Sequence, residues 1–412
     1  MDDARLVELL RQFSRCLENP DPEQNPLQEI ELLGEAAVPR LIEALDHEEA
    51  FIRRMAVCAL GCLHSPQGGP FDVASAVFRL EAAVETDPDS LVRLYAAEAL
   101  WMICETKEAI QVLVGGLQDN QAEARRCAAR MLGEVGPAAH EAVEPLIAAL
   151  ADCDVVVRRY AAENLAAFGP AATSALPSLE PLLGEDEWTQ LVVAEAILKI
   201  APARSQDLGP VLAEALRSGS PRIRHRATQA LGELLLAGGL AVSELVDALD
   251  DEDEVVRTGA LWALGQLGAA AAQATSALIA ILQGHGMDGE DVLVRGMAAT
   301  ALGDIGPAAC EAVPDLLECL SELQGDCAMT RLRLQVARAV WKIDRQPGHL
   351  LCVGRDALGD GKWSLRRLAA EWLGELGPAA ERAVPYLRRA LNDEHPAVRR
   401  QAAVSLKQLT AG

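Results

Sequence analysis

Apolar positions recur along this chain in short helical stripes separated by polar turns. After Ala142, residues Val143, Leu146, Ile147 and Leu150 fall at i, i+3, i+4 and i+7, one stripe of an amphipathic helix. A second stripe follows at Val157, Ala161, Asn164, Leu165 and Phe168, with Asn164 its one polar member. Between the two, Asp152 or Asp154 supplies the N-cap for the second helix. Gly136-Pro137 and Gly169-Pro170 frame the unit, because Gly tolerates the residue past a helix end and Pro cannot continue a helix. The pattern predicts a helical hairpin with too little core to stand alone.

The hairpin repeats. An arginine just inside the second helix recurs as Arg53, Arg93, Arg125, Arg158, Arg224, Arg257, Arg295, Arg333, Arg366 and Arg399. Most steps are 32 to 34 residues, three are 38 or 40, and Gln190 stands where one arginine is skipped. Acidic residues precede most of these arginines: Asp46, Asp89, Asp119, Asp152, Asp250, Asp291 and Asp393. Eleven units are expected, beginning near 34, 69, 106, 136, 169, 204, 238, 270, 306, 345 and 377, after a helical cap over 1–33. In the cap, Ala4 to Leu17 reads as one amphipathic helix and Leu27 to Leu33 as a shortened second.

A Pro-bearing first helix, an Asp turn, then V-R-x-x-A-A-x-A-L-G and G-P resembles the HEAT-repeat family, in the short form found in phycobilin lyases. Arg399 with Ala402, Ala403 and Leu406 carries the resemblance, as does Arg257 with Ala263, Leu264 and Gly265. It implies an all-α fold: a right-handed α-α superhelix, or α-solenoid, of about eleven hairpins, continuous over 34–412. It also implies that the Arg and Asp positions stack as a structural ladder between repeats.

Composition narrows the function. Half of the residues are hydrophobic but only 3 % aromatic, so the core is Ala, Leu and Val, as thin helical layers require. The net charge of −24 argues against a nucleic-acid partner, and carboxylates such as Glu134, Glu163 and Glu371 dilute every arginine doublet. The ten cysteines follow no disulfide spacing. The N-terminus has no basic region leading an apolar run, and no apolar run approaches the ~20 residues of a membrane span. A monomer in a reducing cytoplasm is the expectation, and the excess of Arg over Lys fits a GC-rich bacterial genome.

No catalytic constellation assembles. Gly284 to Gly289 spells G-x-G-x-x-G, but a helix precedes it, and Asp288, Glu290 and Asp291 would repel phosphate. His47-Glu48 and His140-Glu141 fall short of the four His-Glu pairs of the HEAT-fold di-iron hydroxylase. Cys58 and Cys62 share one helix face, half of a zinc site at most. No metal or other cofactor is expected.

The remaining candidate is the surface of the second helices. Two and five residues after the ladder arginine, two rows are expected to face the concave side. Their central members are Tyr95, Glu98, Arg130, Tyr160, Glu163, Glu195, Arg226 and Trp262. Aromatics bounded by charge suit protein recognition, and acidic grooves favour basic peptides. The same residue types also serve packing alone. Inserted loops at 284–291, 322–328 and 359–362 mark one edge, either a second binding face or neutral variation. The expected function is a non-enzymatic scaffold binding a partner protein or basic peptide in this groove. The alternatives are a phycobilin-lyase-like chromophore-handling protein and, further off, a metal-dependent hydroxylase.

Overall fold

The computed structural model describes residues 3–18, 30, 37–63, 74–234, 242–284 and 289–410. All regular structure among them is helical, and the helices fall into eleven consecutive hairpins. They group into two compact units, Met1–Ala201 and Pro202–Gly412. Within each unit, successive second helices pack side by side and each first helix covers the seam beside its own second helix. The cap helix Asp3–Glu18 packs on Ala50–Leu63 through buried Leu6, Leu9 and Leu10. The expected second cap helix lies outside the described residues apart from Ile30.

The Gly-Pro signals stop helices, but they do not start the next one directly. Gly136 and Gly169 adopt φ of 64° and 54°, which terminates the second helix, and Pro then opens a 3-10 turn. Ala172 leaves helical geometry at φ −93°, ψ 23°, with its methyl fully buried, and Ala271 and Ala309 repeat this. The α-helical part of the first helix therefore shortens to Val143–Ala149 in the central hairpin. In the next hairpin Pro181 removes a further donor, leaving only Leu176–Leu179 followed by a 3-10 segment. One stretch, Glu254–Leu282, has the length and hydropathy of a membrane span by composition alone. It is two α-helices separated by the kinked 3-10 segment Gly268–Ala274, which opens with Gly268 at φ 54°.

Asp154 is the N-cap, its Oδ1 accepting from the N–H groups of Val156 and Val157 at 2.9 and 3.3 Å. Asp89, Asp186 and Asp253 cap their helices in the same way. Val157, Ala161, Ala162 and Leu165 are completely buried, whereas Phe168 is only half-buried at the frayed helix end.

Asn164 is buried and donates from Nδ2 to the Ala129 carbonyl, 2.6 Å away on the neighbouring second helix. Its amide occupies the space beside Gly133, where an added Cβ would lie 2.5 Å from Asn164 Oδ1. Gly133→Ala is therefore expected to destabilise the first unit by about 2 kcal/mol, overpacking outweighing the gain in helix propensity. In an Asn164→Ala background the same change is expected to be neutral or stabilising. A urea-denaturation double-mutant cycle measures this coupling.

The arginines do form cross-repeat pairs, but not with the acids that precede them. Arg125 Nε and Nη2 donate to Asp152 at 2.6 and 2.9 Å, 27 residues ahead in the next hairpin's turn. Arg158 then donates from Nη1 to the Asp152 carbonyl at 2.8 Å. One aspartate thus ties two arginines, one by carboxylate and one by main chain. Arg53–Asp87–Arg93, Arg224–Asp251–Arg257 and Arg366–Asp393–Arg399 repeat the arrangement. Asp87 and Asp251, rather than Asp89 and Asp250, are the working acids, and Asp46 pairs with Arg79 instead. Where the following turn carries an insertion the pairing loosens. Arg295 donates to the Leu282 carbonyl and Cys319 Sγ, with Glu322 at 3.9 Å, and Arg333 reaches Asp356 only at 3.9 Å.

Candidate functional site

The second helices Ala50–Leu63, Ser90–Cys104 and Ala122–Val135 lie side by side. On their shared face opens a cleft of about 470 Å³, lined by Cys58, Cys62, Tyr95, Glu98, Arg130 and Glu134 over Gly61, Ala99 and Met102. Six of these nine are the residues five and nine positions after a ladder arginine, the positions a 3.6-residue period stacks on one side of a helix.

Glu98 is the unusual member. Its Oε1 is shielded from solvent without a hydrogen bond, although Arg130 Nη2 stands 3.4 Å away, close enough to pair but poorly aligned. The same guanidinium also donates from Nη1 to Glu134, four residues along its own helix. Burial pushes the Glu98 carboxyl up to about 8; Arg130 opposes this, and Glu134 adds to it. Burial likewise pushes the Tyr95 hydroxyl up to about 12. A hydrogen bond between the thiols raises Cys58 and lowers Cys62. The geometry joins a polarised carboxyl, a half-committed arginine and an apolar floor, which suits recognition of a charged side chain on an amphipathic segment.

Of the residues expected in the groove, Tyr95, Glu98 and Arg130 meet in this cleft. Tyr160, Glu163 and Glu195 are half-buried on the next two second helices of the same unit, outside it. Arg226 and Trp262 belong to the second unit. Trp262 is 38 % exposed and lies over Gly232, where an added Cβ would sit 2.8 Å from its ring. The row two residues after the arginine is less open than expected. Met55, Val192 and Gly259 are buried, because that direction faces the adjacent second helix. Glu134, Cys62 and Met102 were not singled out from the sequence as groove residues; the nine-residue offset was the signal for them.

The inserted edges take different forms. Residues 285–288 lie outside the described residues, and a helix resumes already at Gly289. Over 322–328, Gly325 turns the chain at φ 84° and Asp326 Oδ1 accepts from the Ala328 N–H at 2.8 Å. After 359–362, Trp363 stacks on His395 with ring centroids 4.0 Å apart. His47 Nδ1 accepts from the Glu49 N–H within its own turn. Among the described residues, no three His, Cys, Asp or Glu side chains come together as a metal site.

A family model described as HEAT repeats matches residues 77–166, 143–232, 209–287 and 355–411. The chain belongs to the HEAT-repeat family. No curated protein matches it. Among solved structures, yeast importin-beta (Kap95p) aligns at a TM-score of 0.63 and 14 % identity, over 98 % of this chain and 61 % of that one. Karyopherin Kap121p, bound to the SUMO protease Ulp1p, aligns at 0.61 and 15 %, over 92 % and 48 %. This HEAT-repeat chain thus spans about three fifths of the one and half of the other, and at these identities the likeness is one of fold. The complex of CpcE and CpcF of phycocyanin lyase from Nostoc sp. PCC7120 is looser, at 0.40 and 20 % identity, over 64 % of this chain and 94 % of that chain, and adds nothing to the fold assignment.

Proposed function

We propose that this HEAT-repeat protein is a non-enzymatic scaffold whose second-helix face holds a basic, amphipathic segment of a partner protein. The observation that carries the reading is the Glu98 carboxyl, kept in a cleft with one oxygen unsatisfied. A buried acid left incompletely hydrogen-bonded costs stability, and a ligand that completes it recovers that cost. The net charge of −24 favours encounter with a cationic partner. The fold is one whose solved members include Kap121p bound to Ulp1p and a Kap95–Nup1 complex. Glu163 and Glu195 would extend the acidic track beyond the cleft within the first unit, and Tyr95 and Tyr160 would supply aromatic contact area. The cytoplasm is the compartment proposed for this activity.

The test uses a fluorescein-labelled amphipathic helical peptide of Lys and Leu, titrated with the full chain. Saturable binding is expected, weakened at least tenfold in the Glu163→Lys/Glu195→Lys variant. Unchanged affinity in that variant would overturn the groove assignment. Native mass spectrometry of the protein purified from its own cells should also show a polypeptide at fixed stoichiometry. A bare chain carrying a small-molecule mass would instead point to the chromophore-handling class.

A further inference from the structure

The C-terminal hairpins reverse the charge of the molecule. Residues 355–412 hold ten Lys and Arg against seven Asp and Glu, a balance of +3 in a chain of −24. Between the first helices Gly348–Ala357 and Val384–Ala390 lies a cleft of about 580 Å³, lined by Arg355, Asp356, Tyr386, Arg389, Asn392 and Asp393. Both of its acids are already engaged. Arg355 donates twice to Asp356 Oδ1, at 2.9 and 2.8 Å, and Arg366 holds Asp393 through bonds of 2.8 and 2.9 Å. Arg389, and Arg388 beside it, are exposed and have no carboxylate partner among the described residues. Tyr386, 41 % exposed, lines the cleft beside Arg355.

We propose that this cleft is a second binding site, which takes carboxylate side chains of an acidic protein segment. A planar guanidinium with no partner matches a carboxylate in a two-point hydrogen bond. Arg389 offers that fork at the cleft, and Arg388, on the adjoining face of the same helix, adds positive charge beside it. Tyr386 supplies a ring face for the methylene stem of a bound Glu, and Asn392 adds an amide donor. The overall negative charge does not forbid this, since screening at about 10 Å in 0.1 M salt leaves the local arginines in control. A nucleic-acid backbone fits poorly, because Asp356, Asp360, Glu381 and Glu394 interrupt the cationic track that a run of phosphates needs. The site lies on first helices of the second unit and shares no residue with the cleft of the first, so it does not rest on the scaffold reading.

The experiment titrates the full chain into fluorescein-labelled hexaglutamate and follows anisotropy in 50 mM salt. Saturable binding is expected, weaker by at least tenfold in Arg388→Glu/Arg389→Glu and by severalfold in the milder Arg389→Ala. The charge-matched variant Arg204→Glu/Arg217→Glu, at arginines outside the cleft, is expected to bind hexaglutamate as the unmodified chain does. Absence of binding, or equal binding by Arg388→Glu/Arg389→Glu, overturns the site. Tighter binding of a single-stranded 12-mer DNA than of hexaglutamate overturns the peptide assignment.

Discussion

Replacing Asp152 by alanine is expected to destabilise its two hairpins by about 3 kcal/mol, whereas replacing Asp46 should cost less than about 0.5 kcal/mol. The two ion pairs are equally short: Arg125–Asp152 and Arg79–Asp46 both close at 2.6 Å. Burial separates them. The Arg125 and Asp152 side chains are 12 % and 10 % exposed, whereas Arg79 and Asp46 are 35 % and 71 % exposed. Removing Asp46 returns a guanidinium to water. Removing Asp152 leaves Arg125 enclosed, with the Asp119 carbonyl at 3.0 Å as its best remaining partner, and also strips an acceptor from the Asp154 N–H. Amide hydrogen exchange reads the effect locally: protection in Ala122–Val135 and Val155–Ala167 should fall roughly 100-fold in Asp152→Ala and barely change in Asp46→Ala. The Arg125 hydrogen bond holds the Asp152 carboxyl below its usual range. Its contribution is therefore complete above the unfolded value near 3.9, and is lost as pH falls through the folded one. Equal losses in the two variants would show that the cross-repeat ties do not hold the hairpins together.

Glu98→Gln is expected to stabilise the first unit at pH 9 by about 2 kcal/mol and by far less at pH 5. In the unfolded chain the carboxyl loses its proton near 4.3. In the folded chain it keeps the proton up to about 8. Its favourable contribution is thus full below pH 4.3 and declines as pH rises toward 8, where the fold must hold a buried anion. Glutamine removes that decline. The other groups around the carboxyl are Arg130, Glu134, Cys58, Cys62, Tyr95 and Cys127. Water entry and relaxation around the cleft on ionisation keep the expected gain well below what the full displacement would give. Urea denaturation at pH 5, 7 and 9 measures it. A Glu98→Gln protein whose stability tracks the unmodified chain at every pH would mean that Glu98 is ionised and satisfied, and would remove the observation on which the proposed function rests. A more stable variant that also loses peptide affinity would tie the strain to binding.

Much of the fold was legible because a stacked hairpin imposes a local rule many times over. The 3.6-residue stripe, the Asp cap and the Gly-Pro stop each reappear at intervals near 33 residues, so one weak signal is confirmed by its copies. Asn164 stood out as polar within a buried stripe, and the structure gives it the Ala129 carbonyl. The partners of the arginines were not legible in the same way. Asp89 precedes Arg93 in sequence, yet the acid that holds Arg53 is Asp87, reached only by stacking one hairpin on the next. The 3-10 lead-in after Gly169 and Gly306 was not legible, because the bends at Ala172 and Ala309 bury a methyl group, which no composition signal marks. In the cleft, Tyr95, Glu98 and Arg130 came from counting along the helix. Glu134 and Cys62 lie one turn further along, a step visible in the pattern once the third dimension shows which rotation faces outward.

The doubly used aspartates also decide where the second unit can bend. Between Arg224 and Arg257 the joint is clamped through Asp251, and between Arg366 and Arg399 through Asp393. At Arg295 and Arg333 the carboxylates stand off at 3.9 Å; Arg295 bonds the Leu282 carbonyl and the Cys319 thiol instead, and Arg333 Nε is buried without a partner. Elastic deformation collects where restraint is least, and among the described ties of the second unit the weakest are those at Arg295 and Arg333. Curvature adjusted there would carry the C-terminal arginines through an arc without disturbing a single clamp on either side.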